Sequence, residues 1–160
     1  MEIHLDTLDF NELTLKDNNG NTQTFNIHDE LKLSEYTIQD EMYQQSSKFA
    51  WWASLKERVS NYAEAEQRKL EKIGAQLNLQ IRAQYEQQGK KPTKDQVESA
   101  VFLSDEYQQQ AKVVEEWNYR EKQLHYIVKA FETRTTMLVQ ISAELRQTNK
   151  NGGVTNPFTH

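Results

Sequence analysis

Four histidines, neighbouring carboxylates such as Glu115–Glu116 and Asp40–Glu41, and a band of cations interleaved with aromatics are the residues of this 160-residue chain whose types could do chemistry. His4, His28, His125 and His160 are scattered, two of them near the ends of the sequence. His125 follows Glu121 by four residues, which puts both on one helix face, but the Glu-x-x-His spacing of di-iron bundles is absent. His125 therefore reads as a solvent-facing imidazole. Glu115–Glu116 and Asp40–Glu41 are direct neighbours, and on a helix neighbours point about 100° apart, so neither pair forms a dyad. The chain has no cysteine, which removes disulfides, thiolate metal sites and thiol nucleophiles. Walker A, GxGxxG and GxSxG sequences are also missing. These residues predict a protein that is not an enzyme and takes no metal or cofactor.

The cations are the stronger signal. The formal net charge is −5, but residues 1–47 carry −8, residues 48–94 carry +5 and residues 95–160 carry −2. A basic segment thus lies inside an acidic protein, an asymmetry that points to an anionic partner. Lys48, Trp51, Trp52, Lys56 and Arg58 cluster at its start. Single-stranded nucleic acid is held by cations that track its backbone and by rings that stack on its bases. Arg68 and Lys72 are like charges at i,i+4 with Lys69 beside them, a repulsion of a few tenths of a kcal/mol that a bound anion would relieve. Arg82, Lys90, Lys91 and Lys94 complete the candidate nucleic-acid contacts, with Trp51 and Tyr85 as candidate stacking rings. Trp52 falls in an apolar stripe and reads as core. The competing reading is the solvated face of a coiled coil.

Periodicity supplies the elements that must position these groups. Leu13 and Leu15 alternate with polar residues, Asp17-Asn18-Asn19-Gly20-Asn21 supplies turn chemistry, and Phe25 and Ile27 alternate again. A loop centred on Gly20 predicts a hairpin with Leu15 opposite Phe25 and Leu13 opposite Ile27. From about Ser34 to Gln88, Trp52, Leu55, Val59, Tyr62, Glu66, Leu70, Ile73, Leu77 and Ile81 keep three–four spacing, the mark of an amphipathic helix with a stop at Gly89. Thr93 and Gln96 predict a capping box for a short helix through Leu103, and Ser104 caps another. That last helix carries a heptad-like stripe through Trp117, Leu124, Val128, Phe131, Leu138 and Leu145. These six are the candidate self-association residues. Two long helices pairing antiparallel would leave Trp51, Tyr85, Val113, Ile127 and Ile141 exposed, which predicts an oligomer.

The expected fold is therefore mostly α, a long coiled-coil-like antiparallel helical hairpin with a short connecting helix and a small N-terminal β-hairpin. Its expected parts are an acidic segment over 1–33, a helical oligomerisation and single-stranded-DNA-binding domain over 34–148, and a disordered tail over 149–160. No apolar run approaches the roughly 18 residues needed to span a bilayer. The start, MEIHLDTLDF, lacks the basic and apolar blocks of a signal peptide, so the cytoplasm is the expected location.

The segment FAWWASLKERVSNYAEAEQRKLEKIGAQLNLQIRAQYEQQG, followed by TKDQVESAVFLSDEYQQQAKVVEEWNYREKQLHYIVKAFETRTTMLVQISAELR, resembles the phage recombination mediators of the UvsY type. The likeness lies in Glu64-Ala65-Glu66-Gln67-Arg68-Lys69, in Ile81-Arg82-Ala83-Gln84-Tyr85, and in a short helix closing on Val101-Phe102-Leu103-Ser104-Asp105. It covers roughly residues 45–147. The resemblance implies a ring-like homo-oligomer in the host cytoplasm that binds single-stranded DNA and loosens single-strand-binding protein from it. It also implies help in loading a RecA-like recombinase, with no ATP hydrolysis of its own. Arg82 matches a family DNA contact, whereas the neighbouring contact position is Gln80 here. The alternative is a helical scaffold or adaptor protein of a phage whose stripes serve assembly alone. A third reading is a helical regulator that binds only protein through residues 1–47.

Overall fold

The computed structural model describes residues 2–4, 11–16, 19–34 and 36–152. Three short strands, β1 (Glu2–His4), β2 (Glu12–Lys16) and β3 (Thr22–Asn26), form an antiparallel sheet in the order β1-β2-β3. Four helices follow: α1 (Ile27–Leu31), α2 (Ile38–Gln87), α3 (Lys94–Phe102) and α4 (Asp105–Gly152). The fold is mostly α, as expected, and the long helices pack together.

The hairpin forms, but its register is shifted by two residues from the expected one. Leu13 faces Phe25 and Leu15 faces Gln23, while Ile27 has left the sheet. Asn26 takes Ile27 away by capping α1, its side chain accepting from the Asp29 amide at 3.1 Å. Asp29 and Glu30 then sit in the first turn of α1, where the helix dipole favours anions. A two-residue shift keeps the side-chain alternation, so Leu13, Leu15 and Phe25 still share a face. Gly20 supplies the positive φ of the turn, +87°. Strand β1, which the alternation of residues 13–27 does not predict, pairs along the other edge of β2 with Ile3 opposite Leu15.

The helix ends were legible. Gly89 adopts φ +70°, the Lys90 amide donates to the Tyr85 carbonyl at 2.9 Å, and the Gly89 amide donates to Glu86 at 2.9 Å. This is a Schellman termination. Thr93 and Gln96 exchange both capping-box bonds, 3.2 and 3.0 Å. Ser104 Oγ accepts from the Tyr107 amide at 3.3 Å, opening α4. Helix α4 continues to Gly152, so it includes the first residues of the expected tail; residues 153–160 lie outside the described residues.

The chain divides into two compact units, each with its own core. The first comprises residues 1–51 and 127–160. Its core holds Leu13, Leu15, Ile27, Ile127, Phe131 and Leu138, together with buried Gln45 and Arg134. The ring of Phe25 rests 5.0 Å from Trp51, which joins the apolar face of the sheet to α2. The second unit comprises residues 52–126. Here Trp52, Leu55, Val59, Ala63 and Leu70 of α2 are buried with Val97 and Val101 of α3 and Val114 and Leu124 of α4.

Candidate nucleic-acid interface

The core stripe of α2 decides where its cations go. At about 100° per residue, Val59, Leu70 and Leu77 define one side of the helix, and Arg58, Arg68, Lys69, Lys72 and Arg82 fall within an arc of roughly 140° on the other. All five are exposed. Burial of the apolar stripe against α3 and α4 thus leaves a cationic face in water.

That face is partly neutralised. Arg68 pairs with Glu64 at 3.5 Å and Lys69 with Glu66, both within one helical turn. Arg82 Nε donates to Asn78 Oδ1 at 2.9 Å. Lys94 pairs with Glu98 at 3.5 Å, which offsets a cation placed at the start of α3. The repulsion expected between Arg68 and Lys72 is therefore relieved by Glu64 without any external anion. Among the described residues Arg58, Lys72, Lys90 and Lys91 make no ion pair. Lys90 and Lys91 follow the C-terminus of α2, whose dipole favours cations. Exposed pairs of this kind are worth about 0–1 kcal/mol, so a phosphate can compete with the carboxylates for Arg68, Lys69 and Lys94.

The two candidate stacking rings sit differently. Trp51 belongs to the first unit and already has Phe25 against it, leaving 43% of the residue exposed. Tyr85 belongs to the second unit and is half-buried beside the Schellman turn. The second unit holds one ring cluster that was not anticipated. Tyr62 of α2 stacks on Trp117 of α4 with centroids 5.2 Å apart and planes 25° apart, and the Arg120 guanidinium lies 4.9 Å from the centre of the Trp117 ring.

The self-association residues divide in two. Leu124, Phe131 and Leu138 are almost wholly buried by the chain itself. They pack the intrachain core, and this corrects their reading as surface for a second copy. Trp117, Val128 and Leu145 are half-buried. Ile127, expected to be exposed, is also buried, while Val113 and Ile141 are half-buried. Trp51 is exposed as expected, and among the described residues the most exposed large apolar side chains are Tyr36, Tyr43, Leu79, Phe102, Leu103 and Tyr126.

A buried polar network in the first unit went unrecognised in the sequence. Arg134, only 2% exposed, donates from Nε to the Leu31 carbonyl at 3.1 Å and from Nη2 to the Lys32 carbonyl at 3.3 Å. Its remaining donors reach Gln45 Oε1 and Glu41 Oε2. Gln45 in turn donates to the Phe131 carbonyl at 2.7 Å and to Thr135 Oγ1 at 2.9 Å. Lys48 lies 3.6 Å from Glu41 and 3.8 Å from Glu30. The signal was present: Arg134 stands three residues after Phe131 and four before Leu138, in the register of the apolar stripe.

In the second unit Glu66 accepts from Lys69 and, at 2.8 Å, from Gln110 Nε2 of α4. Bonds from Lys69 first and Gln110 second hold its carboxyl below the ordinary glutamate range. Among the described residues no three His, Asp or Glu side chains are grouped to hold a metal ion. Among the same residues no helix is long and apolar enough to cross a membrane. No family model matches the chain, and neither the curated proteins nor the solved structures contain a match.

Proposed function

We propose that the protein binds single-stranded DNA through the outward face of α2 and acts, as a homo-oligomer, as a recombination mediator. In that role it assists a RecA-like recombinase to replace single-strand-binding protein. The observation that carries the reading is the exposed arc of Arg58, Arg68, Lys69, Lys72 and Arg82, in which Arg58 and Lys72 make no ion pair among the described residues. The likeness of residues 45–147 to UvsY-type mediators supplies the recombination step and the protein partners. Weak contacts on one chain gain strength when several copies present the same face.

Fluorescence anisotropy with labelled single strand and duplex at two salt concentrations, alongside light scattering, tests the proposal. Binding should favour the single strand and weaken steeply with salt as counterions are released. Replacing Arg82, Lys90 and Lys91 together by alanine should lower the slope of log affinity against log salt by up to about 2, at ~0.7 per lost phosphate contact, with oligomer mass unchanged. An unchanged slope removes this end of the helix from the site.

The second reading is a helical scaffold or adaptor with no nucleic-acid role. It is favoured by the carboxylates that already pair with Arg68, Lys69 and Lys94. It predicts no preference for single strand over duplex at moderate salt.

A further inference from the structure

On α2, Tyr62 stands one turn after Arg58 and two turns before Lys69, at the margin of the cationic arc, about 40° from Arg58 and 20° from Lys69 around the helix axis. Its ring has Trp117 on one face, and the Trp117 ring carries Arg120. Even so, 44% of Tyr62 remains exposed. No second ring or cation lies over Tyr62 among the described residues. The carboxylate nearest in sequence on this margin, Glu66, is occupied by Lys69 and Gln110. A half-exposed tyrosine stacked on a tryptophan that itself carries a cation, beside an arginine that makes no ion pair among the described residues, has the parts of a nucleobase platform. Aromatic rings accept any base by its π-face, and the cations take the flanking phosphates.

We propose that Tyr62, backed by Trp117 and Arg120, is a stacking platform for one base of a single-stranded nucleic acid, with a neighbouring phosphate at Arg58 and the backbone running on along α2 to Lys72. This rests on the single-strand-binding reading above and adds to it a ring that contributes through the base, which the salt-dependent cations do not.

The test compares a labelled oligothymidylate of about 15 nucleotides with an abasic strand of the same length and charge, each titrated into the full chain. The wild type should bind the oligothymidylate about five- to a hundred-fold tighter than the abasic strand. Tyr62→Leu, which keeps an apolar side chain against Trp117, should remove most of that ratio while leaving abasic-strand affinity nearly unchanged. Tyr62→Phe should retain the ratio. Circular dichroism of each variant checks that the helices persist. Two outcomes overturn the platform while leaving the cationic face standing: an undiminished ratio in Tyr62→Leu, or an equal loss for both strands. If the wild type binds neither strand, the platform and the single-strand reading fall together.

Discussion

Replacing Arg134 by methionine keeps most of the buried stem and removes every donor, so the cost can be read from the groups left behind. Three acceptors lose their partner: the carbonyls of Leu31 and Lys32 and the side-chain oxygen of Gln45. A buried acceptor left unsatisfied costs about 1–3 kcal/mol. The two carbonyls are part-buried and belong near the bottom of that range, and Gln45, buried, belongs nearer its middle. Glu41 adds little, because Lys48 remains 3.6 Å away and a fifth of its side chain meets solvent. The sum is about 3–5 kcal/mol, in line with removing one partner of a buried ion pair. That is a large share of the ~5–15 kcal/mol that holds a domain folded. At this chain length it corresponds to a melting temperature lower by about 6–20 °C. Urea unfolding followed by circular dichroism measures the loss. Amide exchange locates it, with faster exchange expected at Leu13, Leu15 and Ile27 of the first unit. A change within ~1 kcal/mol, or faster exchange confined to the second unit, would refute the accounting.

Two further outcomes concern the second unit. Gly74→Ala should raise the melting temperature by about 2–4 °C, since alanine is favoured by ~1 kcal/mol inside a helix. The new methyl would meet Tyr107 Cε2 at 3.4 Å and Val101 Cγ1 at 4.0 Å, ordinary contact distances; a lower melting temperature would show that Tyr107 cannot give. Glu66 has its carboxyl held low by Lys69 and Gln110, so its bonds stabilise the fold above the ordinary glutamate range and are lost as pH falls through the lowered value. Gln110→Leu should therefore cost on the order of 1 kcal/mol at neutral pH and progressively less in acid, by urea titration at several pH values. A penalty that grows in acid would contradict that sign.

Local chemistry was the legible part of this fold. Gly89, the Thr93–Gln96 box and Ser104 each act on backbone groups within five residues, and each sits where the sequence placed it. Registers that depend on competition were harder. Ile27 fits a strand by alternation, yet Asn26 draws it into a helix. Tyr62 fits the three–four stripe, but its neighbour Ala63 takes the buried position, because a 3.6-residue period drifts against a seven-residue one. Arg134 was hidden for another reason. Two of its partners are main-chain carbonyls more than a hundred residues away, which no residue type announces. At the candidate interface the arc of cations was legible, since exposure follows from the stripe opposite. The Tyr62–Trp117 stack was not, because it joins rings 55 positions apart on different helices.

Those separations also set an order of assembly. The second unit is closed by pairs such as Glu66 with Gln110, 44 positions apart. The first is closed by Arg134 with Leu31, 103 positions apart. Closing the longer loop costs more chain entropy, by roughly 0.6 kcal/mol per doubling. Once α2 and α4 have met near Tyr62 and Trp117, however, the remaining closure is short. On loop closure alone, the pair in the second unit is the less costly to form by about 0.7 kcal/mol. On the ribosome the sheet and α1 emerge more than a hundred residues ahead of the arginine that fastens them, so they wait, unlatched, until α4 has been made.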